Sequence, residues 1–286
     1  MIKLRIGGVP EHFNLPWHLA AEADRFRPLG VAVEWRDYPD GSGAMAKALR
    51  AGELDAALLL TEGAIAGVAA GGFRVASVYT DSALVWGIHV PSASRFRAVG
   101  DLQGARYAVS RHGSGSHLMA YVHARSLGWP LDALRFVVVG NLAGAVAAFA
   151  AGTADVFFWE KLMTKPLVDS GQFRRVGEFT APWPAFVVCV ADAATAEQRG
   201  ALARASALVL DEAAALRTRP DAAALIAARY GLAASDVHAW LRATRWRSRV
   251  SIGSQDLAPA CAALAALGVL ARPVTAADCI APAGGT

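Results

Sequence analysis

Three carboxylates stand close behind strand-like runs: Glu11 after IKLRIGGVP, Glu62 after AALLLT and Glu160 after VFFW. A carboxylate placed there, partly withdrawn from water, seeks an N–H donor, a cation or a proton. His12 directly follows Glu11, so that pair reads either as a ligand-binding or base-and-partner arrangement or as an ordinary structural histidine. The run SRHGSGSHL, from Ser110 to Leu118, sets the hydroxyls of Ser110, Ser114 and Ser116 among glycines, between a strand-like and a helix-like stretch. Free backbone N–H groups at such a helix start receive anions. The run lacks the third glycine of a dinucleotide fingerprint, and GxxxxGK[ST] occurs nowhere in the chain. Ser42, Thr61 and Asn14 stand at the starts of helix-like stretches, where a side-chain oxygen can cap the helix or touch a ligand. Glu62 suits a first turn through the helix dipole alone. Trp17 and Trp159 offer flat walls for a ring.

These residues need a scaffold that brings strand ends together. Strand-like runs recur at Ile2 to Gly7, Val31 to Tyr38, Ala56 to Leu60, Val75 to Tyr79, Val85 to Val90, Tyr107 to Ser110, Phe136 to Val139, Val156 to Trp159 and Phe186 to Val190, mostly separated by helix-like stretches. Such alternation predicts parallel sheets covered on both faces, with ligands beyond the carboxyl ends of the strands. After about Thr195 only helical patterns remain, punctuated by Pro220, Gly231 and Gly253. An internal echo joins the two halves: ALRAGELDAALLLTE ends at Glu62 and AFAAGTADVFFWE at Glu160. Each reads as helix, a left-handed glycine (Gly52 or Gly152), an aspartate at the strand entrance (Asp55 or Asp155), a strand and a carboxylate. Two similar lobes follow. Val85 to Val90 and Phe186 to Val190 are the expected crossings, giving one lobe of residues 1–87 plus 190–286 and another of 88–189.

A chain of 286 residues, 55% hydrophobic, is large enough for two cores. No apolar run approaches the roughly 20 residues that span a bilayer, so no membrane insertion is expected. The net charge of +4 is spread along the chain, and the basic run Arg242 to Arg249 reads as a solvated helix end rather than a nucleic-acid contact. Cys189, Cys261 and Cys279 fit neither a CxxC pair nor a disulfide framework and read as buried thiols; the spacing of His112 and His117 does not suggest a metal site. Met1 runs straight into a strand with no leader-like segment, so the chain as written reads as cytoplasmic, or periplasmic if a leader was removed.

The opening IGGVPEHFNLPWHLAAEADRF, the AGELDAALL unit, the crossing near Val85 and SRHGSGSHLMAYVHARSLGW resemble the substrate-binding proteins of ABC importers. The nearest group includes nitrate, sulfonate, taurine and thiamine-pyrimidine binders, and the resemblance covers most of residues 1–190. It implies an α/β, two-lobed type II periplasmic-binding fold with a mostly helical C-terminal tail, no catalytic residues, no cofactor and no metal. It also implies a small-molecule ligand held between the lobes and an ABC transporter permease as a partner. The expected ligand set is Glu11, His12, Asn14, Trp17, Ser42, Thr61, Glu62, Ser110, Ser114, Ser116, Trp159 and Glu160. An aminopyrimidine-like or other small polar ligand suits the carboxylates, whereas a bare sulfonate or nitrate would be repelled by them. The alternative is a cytoplasmic enzyme on the same fold, with His12 as base and Glu160 as its partner.

Overall fold

The computed structural model describes residues 1–282. Among them the chain forms strands β1 (Ile2–Gly8), β2 (Val31–Asp37), β3 (Ala56–Leu60), β4 (Phe73–Thr80), β5 (Val85–Pro91), β6 (Arg106–Val109), β7 (Arg135–Val138), β8 (Val156–Glu160), β9 (Phe173–Thr180) and β10 (Phe186–Ala191). Helices α1 (Leu15–Glu22), α2 (Ser42–Arg50) and α3 (Thr61–Ala69) fall among the first strands, and α4 (Gly115–Ser126), α5 (Leu142–Ala150) and α6 (Lys165–Asp169) among the later ones. The tail is helical: α7 (Ala196–Thr218), α8 (Ala222–Tyr230), α9 (Ala234–Ala243), α10 (Ser254–Ala266) and α11 (Ala276–Cys279). The central strands are apolar throughout, as in AALLL of β3 and FVVCVA of β10, because helices cover both faces of each sheet.

Two five-stranded sheets result, ordered β2-β1-β3-β10-β4 and β7-β6-β8-β5-β9. They repeat one plan: β1 pairs parallel with β2 and β3, and β6 pairs parallel with β7 and β8. Each sheet is completed by an antiparallel strand from the other side of a crossing, β10 between β3 and β4 and β5 between β8 and β9. The expected divisions at 87/88 and 189/190 therefore cut through strands. Val85 already pairs with Thr180 in the second sheet, and Phe186 with Leu60 and Thr80 in the first. The crossings are the short segments 81–84 and 181–185, since an apolar strand satisfies its backbone groups best inside a ladder.

The echo is a shared device. Gly52 and Gly152 end α2 and α5 with φ of 71° and 63°, a conformation open to glycine at little cost. The Asp55 carboxylate accepts the Arg5 backbone N–H at 2.8 Å and both Nε and Nη2 of the Arg5 guanidinium, at 3.1 and 2.6 Å. One hundred positions later, Asp155 accepts the Arg106 N–H, Nε and Nη2 at 2.9, 2.9 and 2.8 Å. Each arginine also donates to the carbonyl of the turn glycine. Every lobe thus pins its first strand to the entrance of its third. Asp55→Asn and Asp155→Asn should each cost about 2 kcal/mol, because a half-buried bidentate pair loses its charge and one acceptor. Urea titration checks this; a loss below about 0.5 kcal/mol would mean that the pairs behave like exposed surface bridges.

The tail wraps the first lobe. Thr195 and Gln198 cap α7 reciprocally, and its buried stripe, including Leu202, Val209 and Leu216, lies over α1 and β1. The stretch after α9 departs from the expectation of a solvated helix end. Trp246 is buried and forms a bridge to Thr80, while Arg247 grips Asp81 and, through two bonds, Asp256. The tail therefore braces the 81–84 crossing. Cys189, Cys261 and Cys279 are free thiols buried in this lobe, and no helix among the described residues is long and apolar enough to cross a membrane.

Candidate functional site

The carboxyl ends of the parallel strands of both sheets converge on an inter-lobe cavity of about 50 Å³. The first lobe supplies Glu11 from the loop after β1, Asp40 from the approach to α2, Ser42 as the first residue of that helix, and Leu60 from the end of β3. The second supplies Ser110, Arg111 and Ser114 from the turn between β6 and α4, Ser116 from the first turn of α4, and Trp159 and Glu160 from the end of β8. The space is tight, and the lobes are apposed across it.

The serine turn is built as the sequence suggests and is tightly wired. Ser114 caps α4, its Oγ accepting the His117 N–H at 3.3 Å, and Ser116 Oγ lies 3.1 Å from Ser114 Oγ while accepting the Ser110 N–H at 3.2 Å. His117 Nδ1 in turn accepts the Gly113 N–H at 3.1 Å, so this histidine shapes the turn. Among the described residues no three metal-binding side chains converge.

Arg111 is the residue that sequence reading passed over. It is the one cation lining the cavity among the described residues, half-buried, and its Nη1 donates across the lobes to the Asp40 carbonyl at 2.6 Å. Its guanidinium lies so close over Gly43 of α2 that a Cβ there would collide with it. Burial pulls its pKa down and the nearby Asp40 opposes this. A glycine at Gly115 serves the same end from the other lobe: a Cβ would come 2.7 Å from Leu60 Cδ1 and 3.0 Å from Trp86 Cη2. An arginine between Ser110 and the glycine-rich helix start was the available signal, since a guanidinium completes an anion-receiving turn.

Glu11 and Glu160 bring carboxyls from opposite lobes to the same cavity. Glu160 is buried; its Oε2 accepts the Met163 N–H at 2.7 Å. Loss of solvent pushes its carboxyl up to about 7, against the pull of the Met163 and Leu162 N–H groups, Lys161 and Arg175. Glu11 keeps an edge open to solvent, yet desolvation first and the charge of Glu160 second push it up to about 8. The two carboxyls compete for protons and present, when ionised, an acceptor pair for a donor placed between the lobes.

Of the expected set, Glu11, Ser42, Ser110, Ser114, Ser116, Trp159 and Glu160 line the cavity, and five residues do not. His12 is fully buried against Phe13 and Trp240, with ring centroids 4.5 and 4.3 Å away, and burial lowers its pKa to about 3. Asn14 turns inward and donates to the Val9 carbonyl at 2.8 Å without capping α1. Trp17 packs in the first lobe between Phe26 and Trp35. Thr61 holds the second crossing, its hydroxyl donating to the Pro184 carbonyl and its N–H to that of Ala185. Glu62 accepts the Trp183 N–H at 2.8 Å in the same crossing, and burial pushes its carboxyl up to about 7. The echo misled here by two residues: the position one hundred before Glu160 is Leu60, the last of β3, whereas Glu62 lies inside α3.

Residues 86–179, almost the whole of the second lobe, match the family model of Ca3427-like periplasmic binding proteins. No curated protein matches the chain by sequence. Among solved structures, the CA3427 gene product of Candida albicans is 23% identical with a TM-score of 0.90, over 98% of this chain and 96% of that one. The alkanesulfonate-binding protein SsuA from Xanthomonas axonopodis pv. citri, bound to MOPS, is 20% identical with a TM-score of 0.84, over 99% of each chain. The periplasmic aliphatic sulphonate binding protein SsuA of Escherichia coli is 20% identical with a TM-score of 0.74, over 99% of this chain and 92% of that one. By sheet order, crossings and these likenesses, the chain has the type II periplasmic-binding-protein fold, with the Ca3427-like match carried by its second lobe.

Proposed function

We propose that the protein reversibly binds a small zwitterionic or polar metabolite, closing its lobes on it and passing it to an ABC transporter permease. An acidic group of the ligand meets Arg111 and the start of α4, and an N–H donor meets Glu11 and Glu160. The observation that carries this reading is one guanidinium and two displaced carboxyls lining the same inter-lobe cavity. A ligand with only negative charge would gain from Arg111 but keep the carboxyls protonated and forgo their charge, and a purely cationic one would draw on the ionised carboxyls but be repelled by Arg111. The SsuA neighbour bound to MOPS supports the reading, since MOPS joins a sulfonate to an amine. An aminopyrimidine with an acidic tail meets the same demands through its ring amino group. The enzyme alternative draws no support from His12, which lies outside the cavity lining.

Native mass spectrometry of protein taken from its source identifies the ligand carried through purification. With that ligand, Glu160→Gln and Glu11→Gln should each lower affinity roughly ten- to hundredfold in titration calorimetry, as expected for about 1.5–3 kcal/mol per charged hydrogen bond. Ser206→Ala, on α7, should leave affinity unchanged. Equal affinity in all four proteins would reduce the carboxyls to folding roles and sink the zwitterion reading.

A further inference from the structure

A second cavity of about 320 Å³ adjoins the first, and Leu84 and Glu160 line both. Its walls come from three sources: Phe13 and the 82–84 crossing, Leu162 of the second lobe, and Ala239 and Trp240 of α9 in the tail. Lys161 and Arg175 share Glu178, at 2.8 and 3.4 Å, and Lys165 pairs across the lobes with Asp236 of α9 at 3.5 Å, while the Arg175 Nη1 is buried without a hydrogen-bond partner. The rest of the lining is mainly apolar and aromatic. Trp240 is braced by His12 and Trp246, with ring centroids at 4.3 and 5.6 Å, so the buried histidine helps to fix one wall of this chamber.

The two spaces differ in size. The cavity at Arg111 is the tighter, at about 50 Å³, whereas about 320 Å³ falls at the low end of the roughly 300–1,000 Å³ typical of small-molecule sites. Glu160 stands at the boundary, so a ligand amine bound there can carry one substituent toward Arg111 and another the opposite way.

We propose that the chamber beside α9 is a specificity subsite for an apolar ring carried on the ligand's amine. The inference rests on the zwitterion reading above and narrows it to amino acids or aminosulfonates with a cyclic N-substituent. The tail helix α9 then reads the ligand directly, and a bound ring bridges the tail and the second lobe beside the Lys165–Asp236 pair.

Two probes with one acidic arm test this: 2-aminoethanesulfonate and its N-cyclohexyl derivative, both ammonium ions near neutral pH. Calorimetry on the wild-type protein should show the cyclohexyl compound binding at least tenfold more tightly, because burying its ring removes apolar surface from water. Ala239→Trp fills the chamber from an exposed helix position, and Ala243→Trp does so one turn further on as a second, independent block. With unchanged melting temperatures, each should weaken the cyclohexyl probe tenfold or more and the short probe less than twofold. Binding of both probes without discrimination, or equal effects of the blocks on both, overturns the ring subsite and leaves the zwitterion reading standing. Failure of both probes to bind wild-type protein overturns the aminosulfonate reading and the subsite together.

Discussion

Replacing Arg111 by Ala should weaken binding of an acidic ligand ten- to hundredfold or more, the largest loss expected from any single side chain of the cleft. Arg111 is the one cation among the described lining residues, and it is half-buried, so its attraction for an anion is screened less than that of a surface lysine. Removing it costs a charge-assisted hydrogen bond of about 1.5–3 kcal/mol and also the Asp40 contact that holds the lobes together. Arg111→Lys separates these contributions. It keeps the charge but loses the planar fork that lies over Gly43, so an intermediate affinity is expected. The measurement is titration calorimetry at two salt concentrations. If Arg111→Ala binds the ligand as tightly as the wild type, the acidic group is held by the serine turn without help from the guanidinium.

Raising the pH should open the unliganded protein. In the closed cleft Glu11 and Glu160 are pushed up to about 8 and about 7, whereas in an open cleft both return toward the ordinary carboxylate range near 4.5. The closed form therefore holds more protons than the open one. Closure is favoured fully below the open-state value and loses that advantage as pH climbs through about 7 to 8, by up to tenfold per carboxyl per pH unit within the window. Lys161 and Arg175, which favour ionised Glu160, moderate the effect without reversing it. Small-angle scattering between about pH 5 and pH 9 should show the radius of gyration increasing. The Glu11→Gln, Glu160→Gln double variant should show a flat profile, and a ligand with an ammonium group should hold the wild type closed at high pH by replacing the proton. A radius independent of pH in the wild type would falsify the coupling.

Much of the scaffold was legible because it rests on periodicity and on glycine chemistry. Strand-helix alternation marked nine of the ten strands, missing β9 (Phe173–Thr180) at the edge of the second sheet, and the Ala-Gly-x-x-Asp echo marked a repeated arginine-aspartate clasp, although the arginines lie about fifty residues from their partners and carry no local signal. The site was legible only as a set of loops. Sequence position places Glu11, His12 and Asn14 on one loop, but a short helical turn sends Glu11 outward and the other two into the core. Thr61 and Glu62 look like ligand groups because they follow a strand, yet they anchor the returning crossing, whose partners lie more than 120 residues away. Arg111 was hidden in plain view among serines, since its role depends on a glycine of the other lobe. The chamber beside α9 is assembled from three distant segments, so no single stretch announces it.

The exchange of β5 and β10 between the sheets also orders the birth of the molecule on the ribosome. The second sheet is drawn from one unbroken stretch, β5 to β9, and can be completed as soon as Thr180 has emerged. The first sheet has a gap between β3 and β4 that only β10 fills, so residues 1–80 wait with apolar edges unpaired until Ala191 is free of the exit tunnel. Nascent chains arrested with residues 1–182 outside the tunnel should thus protect the 85–180 stretch from protease while leaving 1–80 susceptible. Chains extended past residue 218, which also free α7, should protect both. Early protection of residues 1–80 would mean that the half-built sheet closes on itself without β10.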